Sequence, residues 1–396
     1  MADPYPALAI ARREEPVRFL PDLNLWLVTR YADVRTVLRN PEVYTNANVQ
    51  QPLFPFAPGT VDHLKSRGFA PGPALTGSDG ALHKRLRGKV AKALDFTPRS
   101  LIAQSALVQH TAQEMVDALP RSGRFDIVGA LTARFPARVV FRLIGFPERD
   151  HDQLLAWCMD RLRMFFGYSE AEEQLPIAEG LAAYWQYCVG FVASPEAREG
   201  DTIGSRLIAM HEDDPETLSA TEVAGILFGL VFAGQETTAN VLAETILLLL
   251  RDRSRWEAVH ADRALIDRAF SEALRLSPPI AAWRRLAAVD TEIAGQPIPA
   301  GAHLLLHLGS TGHDESKFAD GETFDLTRTN GEQHLAFGSG PHFCLGAPLA
   351  KMEVRELLKV LLDREPALSL APQMLDYIPN ISFRGPRELW VERCPA

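Results

Sequence analysis

Cys344 stands in Phe337-Gly338-Ser339-Gly340-Pro341-His342-Phe343-Cys344-Leu345-Gly346, the segment richest in chemical content. The glycines at 338, 340 and 346 permit a tight backbone and close approach to a flat ligand. Pro348, just beyond, marks the first turn of a helix. A helix N-terminus carries partial positive charge and unpaired N–H groups, which favour a thiolate at the preceding cysteine. Such a thiolate is a strong electron donor to a bound metal. The bland reading of a lone cysteine is a small buried hydrophobe, and the ten-residue context argues against it.

A second group lies in a long apolar segment. Ser219-Ala220-Thr221-Glu222 has the form of a capping box. The helix it starts is apolar on every face up to Ala233, as buried helices are. Gly234-Gln235-Glu236-Thr237-Thr238 then interrupts it with an acid and two hydroxyls. Burying those groups is costly without partners. They form either a hydrogen-bond network with no catalytic role or a device for moving protons. Glu272 and Arg275 form a third group, three residues apart and so on one helix face.

These residues need a helical scaffold. The chain has 396 residues, enough to enclose a cofactor. Patterns from about 81 to 275 are nearly all helical. Tyr31 to Leu38 reads as a short helix and Pro348 to Leu362 as a final one. Leu25-Trp26-Leu27-Val28, Glu292-Ile293-Ala294 and His303 to His307 are β-like. The expected class is mainly α with small β-sheets, in one domain over 1–396. Residues 51 to 80, rich in Pro and Gly, form a linker or a long functional loop. The unbroken apolar run Val223 to Gly234 is shorter than the roughly 20 residues that span a bilayer, so a buried core helix is expected.

Composition narrows the function classes. A net charge of −9 argues against nucleic acid as the main partner. Four cysteines without a C-x-x-C pair suit neither a zinc site nor a disulfide scaffold, and they point to a reducing, cytoplasmic compartment. Met1-Ala2-Asp3-Pro4 opens no signal peptide or membrane anchor. His303, His307 and His313 lack helical metal-ligand spacing and are read as structural.

The loop around Cys344 resembles the F-G-x-G-x-H-x-C-x-G haem-binding loop of the cytochrome P450 family at every specified position. Ala233 to Thr238 resembles the family's A-G-x-[D/E]-T-[T/S], and Glu272-x-x-Arg275 its E-x-x-R pair. The resemblance runs along essentially the whole chain in the right order. One departure is Thr311-Gly312-His313-Asp314, where the family often has A-N-x-D.

That resemblance implies the cytochrome P450 fold, with haem b between the long central helix and the cysteine-loop helix. Cys344 binds the iron; Phe337, Gly338 and Gly346 shape the loop around the cofactor. His83, Arg87, Arg285 and His342 hold the propionates, with Arg284 as the alternative to its neighbour. Gly234 leaves room for dioxygen, Thr237 hydrogen-bonds the oxygen being cleaved and Glu236 governs proton entry. Glu272 and Arg275 are buried beneath the haem in a folding role. Residues 51 to 80, Phe165, Phe166, Leu230, Ala233, Ile280, Ala281, Ala282 and Ile381 surround a small, largely apolar substrate.

The implied activity is a monooxygenase of the hydroxylating, secondary-metabolism kind. It is expected to be a soluble monomer without membrane or nucleic-acid partners and without a fused reductase. Electrons then come from a separate iron–sulfur ferredoxin. Arg85, Lys89 and Lys92 share one helix face and are a candidate docking patch. Two alternatives stay open. One keeps the haem but performs oxidative coupling or peroxide-driven oxidation; the other is a non-catalytic haem sensor or electron carrier.

Overall fold

The computed structural model describes residues 3–393, of which over half are helical, with three small sheets. The chain packs as two compact units. One comprises the residues up to Val49, Val108–Phe135 and those from Thr237 on; the other comprises Gln50–Leu107 and Pro136–Glu236.

The first unit holds all the sheets. Its five-stranded sheet runs Val17–Leu20, Leu25–Val28, His303–Leu306, Trp283–Ala287, Tyr44–Thr45. Leu25–Val28 pairs with His303–Leu306 in parallel; the other pairings are antiparallel. Val28, Leu304 and Leu306 have no exposed surface and join Val34, Val37 and Leu38 of the helix Tyr31–Arg39 in one apolar core. The β-like residues at 292–294 form a hairpin, Thr291–Ile293 with Gln296–Ile298. Its turn uses Ala294 and Gly295 at positive φ, 51° and 82°, the geometry that matches the twist of paired strands. The helices Leu265–Leu276 and Ala347–Arg364 pack together in this unit.

The second unit is helical. Gly80–Leu94, His151–Phe166, Ala171–Ala193 and Ile203–Asp213 are its main elements. His151–Phe166 and Ala171–Ala193 pack along each other across a four-residue connection, 167–170. The Pro/Gly-rich stretch 51–80 is irregular except for the helix Thr60–Ser66 and one 3-10 turn.

The long helix Ala220–Leu250 contributes residues to both units. Its capping box is formed: Glu222 N–H donates to Ser219 Oγ at 3.2 Å, and Ser219 N–H to Glu222 Oε2 at 2.9 Å. Among the described residues it is the one helix long and apolar enough to cross a membrane, and 72% of its most apolar window is buried in the protein.

Candidate active site

The loop before the helix Ala347–Arg364 is shaped by two left-handed glycines, Gly338 and Gly340, both at φ 74°. At Gly340 a side chain would also meet Leu38 O and Arg39 Cα at about 3 Å, so the loop packs against the end of the Tyr31–Arg39 helix. Cys344 N–H donates to Phe337 O at 2.9 Å and closes the loop. The Phe337 ring lies between Phe270, His334 and Phe343. Cys344 is exposed, in contrast to the buried Cys158 and Cys188. A Cβ on Gly346 would lie 3.8 Å from Cys344 Sγ. An accessible thiol, flanked by aromatic rings and placed just before a helix, suits a flat apolar cofactor with a thiolate-binding metal.

The segment 46–49 meets several basic residues of the same unit. Asn46 Nδ2 lies 2.9 Å from His342 Nε2. Asn48 Nδ2 donates to Arg285 O at 2.9 Å and faces His303 Nδ1 at 3.1 Å. Arg284 Nη2 donates to Val49 O at 3.0 Å. Arg284 and Arg285 are both buried on the strand Trp283–Ala287. Burial lowers the Arg284 pKa to about 10. Asn46 and Asn48 were not legible as site residues, since asparagine in a loop carries no chemical signature of its own.

Glu272 and Arg275 form a fully buried pair, with Nε–Oε1 at 2.7 Å and Nη2–Oε2 at 2.8 Å. Arg328 joins them, its Nε 3.2 Å from Glu272 Oε1. The odd Gly312 also has a reason. A Cβ there would collide with Arg275 O, and Gly312 O accepts from Arg275 Nη1 at 2.6 Å.

The other three histidines are engaged separately. His303 faces Asn48, His307 Nδ1 accepts from Ser310 N–H, and His313 lies between Glu322 and Leu276 O.

Along the long helix, most residues from Val223 to Asn240 are buried. Gly225, Gly229, Leu230, Ala233, Gly234 and Thr237 keep accessible surface. Those positions recur every four residues and form one stripe. Glu236 is buried at 3% exposure and Gln235 at 1%. Glycine at 234 is also required sterically: a Cβ would fall 2.7 Å from Val140 Cγ2. In the second unit, Phe166 stacks on Phe232 at 5.6 Å and Phe165 meets Phe56 edge-on. In the first, Ala281 and Ala282 donate to Ser382 O. Ala282 has no exposed surface and packs with Leu25 and Leu305, with Ile381 against them, so it acts as core and not as a pocket wall. Ile280 is half-buried.

His83 is buried on Gly80–Leu94, and burial followed by the charge of Arg87 lowers its pKa. Two members of the expected docking face on this helix also bond within the protein. Arg85 donates to both oxygens of Glu222 at 2.6 and 3.2 Å and to Thr217 O, and Lys89 Nζ donates to Thr217 Oγ1 at 2.9 Å. Lys84 and Lys92 are exposed.

The family model described as Cytochrome P450 matches residues 192–365. The chain is 32% identical to the cytochrome P450 monooxygenase PikC of Streptomyces venezuelae, over 98% of its own length and 90% of that protein's. It resembles the solved structure of cytochrome P450 CREJ in complex with (4-ethylphenyl) dihydrogen phosphate, at TM-score 0.92 and 34% identity, covering 99% of this chain and 97% of that one. It also resembles full-length CYP116B46 from Tepidiphilus thermophilus, at TM-score 0.93 and 30% identity, covering all of this chain and 52% of that one. The chain belongs to the cytochrome P450 family, as an oxidoreductase whose cofactor is haem b.

Proposed function

We propose that this protein inserts one oxygen atom from O2 into a small, largely apolar organic substrate, using electrons from a separate ferredoxin. The observation that carries this reading is the accessible stripe Leu230, Ala233, Gly234, Thr237 on an otherwise buried helix. Small residues at that spacing leave a flat face where a planar cofactor and a substrate can approach.

The bound haem supplies dioxygen binding and O–O cleavage. Cys344 is its thiolate ligand. His83, Arg87, Arg285 and His342 hold the propionates, because carboxylates of a buried cofactor need cations and hydrogen-bond donors: the arginines supply the charge and the histidines a ring N–H. Phe337, Gly338 and Gly346 shape the loop beneath it. Thr237 presents a hydroxyl on the stripe, and the buried acid Glu236 precedes it by one residue. Together they move protons toward the reacting oxygen and away from competing routes. Phe165, Phe166, Leu230, Ala233, Ile280, Ala281 and Ile381 form apolar walls, as ligand pockets usually have. The aryl phosphate bound by the CREJ relative supports a small aromatic-bodied substrate. We place the protein, as a single domain, in the cytoplasm.

The test is the spectrum of the ferrous CO complex. The purified protein is expected to contain haem b and to show the red-shifted band of thiolate ligation, and Cys344→His to abolish it. A protein without haem, or an unchanged band in the variant, overturns the reading.

A further inference from the structure

Arg161 is a buried cation that no carboxylate pairs with among the described residues; the nearest influence of that kind is Glu236, which acts on the Arg161 neighbour Cys158. It lies on the helix His151–Phe166, 5% exposed. A guanidinium has five N–H donors. Here Nη1 donates to Phe228 O at 2.8 Å, Nη2 to Gln50 Oε1 at 3.3 Å, and the buried Nε–H has no acceptor. The group sits over two aromatic faces, 4.5 Å from the centre of Phe228 and 5.0 Å from that of Phe232. Its other charged-capable neighbours are Tyr184, Cys158 and Cys188. Burial raises the pKa of all three, that of Cys158 to about 12, so they are neutral near pH 7 and offer no counter-charge.

The contrast with Arg275 in the other unit is direct. All five of its N–H donors are used, two of them on Glu272. A buried arginine that serves the fold is saturated in that way. Removing an ion from water is costly unless a partner of opposite charge compensates. Two aromatic faces offset only part of the cost. Arg161 bonds the long helix at Phe228 O, and Phe228 and Phe232 each precede a stripe residue, Gly229 and Ala233, by one position. Phe166, five residues further along the helix of Arg161, stacks on Phe232.

We propose that Arg161 is the anchor for an oxyanion on the substrate, so that this enzyme takes small aromatic-bodied acids, carboxylates or phosphate esters, in preference to neutral molecules of the same shape. The guanidinium fork pairs with the planar carboxylate or the phosphate through Nε–H and its remaining Nη hydrogens. The ring lies among Phe165, Phe166 and Phe232. This rests on the monooxygenase reading and names the substrate class for that site.

The experiment uses the haem-containing protein and three probes of one shape: 4-ethylbenzoate, 4-ethylphenyl phosphate and neutral 4-ethylbenzamide. Binding is followed by calorimetry and by the shift of the haem absorption band. Wild type is expected to bind at least one anion roughly ten- to hundredfold tighter than the amide. The better of the two anions identifies the substrate group. Arg161→Met is expected to lose that preference, keep its amide affinity and unfold at the same or a higher temperature without ligand, since an uncompensated charge has gone. Arg161→Lys, which keeps the charge but not the fork, is expected to retain part of the preference. Equal affinities in wild type, no anion binding at millimolar concentration, or a Met variant that still prefers the anion overturns the proposal. So does a Met variant of lowered melting temperature with unchanged selectivity, which makes Arg161 a structural cation. Haem content and the CO band are measured on the same samples. Their absence sinks the monooxygenase reading, whereas normal haem with no anion preference sinks only the anchor.

Discussion

Arg275 holds Glu272 through two parallel hydrogen bonds of 2.7 and 2.8 Å with no solvent access to the arginine. The same arginine gathers Gly312 O, Gly321 O and Thr323 O, so it fastens three turns of backbone to one helix. Removing Glu272 leaves two buried arginines without their carboxylate, and removing Arg275 leaves Glu272 with Arg328 as its remaining cation; breaking a buried pair costs about 3–5 kcal/mol. Glu272→Ala and Arg275→Ala are expected to give little soluble haem-containing protein. Expression yield and haem content check this; normal yield with full haem would show that the network is dispensable.

Thr237 lies on the accessible stripe of the long helix, and Glu236 beside it is buried. Thr237→Ala removes a hydroxyl without adding bulk, so haem and substrate binding are expected to be nearly unchanged. Electrons are expected to leave as hydrogen peroxide instead of product if the proposed proton path runs through this hydroxyl. Product and peroxide formed per NADH are the measurement. Coupling at the wild-type level would remove Thr237 from the path.

Glu353, on the helix after Cys344, is 1% exposed, and its Oε2 has no hydrogen-bond partner. Burial raises its pKa well above the ordinary 4.5. Between the unfolded and folded pKa values the native state keeps a proton that the unfolded state has lost. Stability therefore falls as pH rises through that window, and no cost remains below it. Glu353→Gln is expected to melt higher than wild type near pH 8, with the difference vanishing toward about pH 4. Melting curves across pH check this; a constant difference would mean that Glu353 does not titrate in that window.

The legible parts of the molecule were those with local signatures. Ser219 and Glu222 announced the start of the long helix because a capping box acts over three residues. Leu25–Val28 and His303–Leu306 were recognisable as strands by their apolar content, but nothing local says that they pair in parallel. Arg161 was hidden for a related reason. A lone arginine in a helix reads as a surface cation, and only folding shows Phe228 and Phe232 beneath it and, among the described residues, no carboxylate paired with it. In the basic run from His83 to Lys92 the internal partners are hidden in the same way. Helical spacing put Arg85, Lys89 and Lys92 on one face, but could not show that Glu222 and Thr217 occupy two of them.

That pairing changes how a redox docking patch must be tested. Arg85 and Glu222 are partly buried, at 34% and 14% side-chain exposure, and Arg85 also caps Thr217 O. A bidentate pair of this kind contributes on the order of 1 kcal/mol, so Arg85→Glu changes stability as well as surface charge and cannot report on docking alone. Lys84 and Lys92 are exposed. If an acidic ferredoxin docks on this helix, they steer its approach through screened, long-range attraction. Lys84→Glu/Lys92→Glu is expected to slow ferredoxin-driven haem reduction several-fold at low salt, with the gap closing as salt rises and the melting temperature unchanged. Arg85→Ala is expected to lower the melting temperature and leave the salt dependence nearly intact. Stopped-flow reduction across an ionic-strength series, read beside melting curves, separates the two. A reduction rate indifferent to both lysine reversals and salt moves the electron entry face away from this helix.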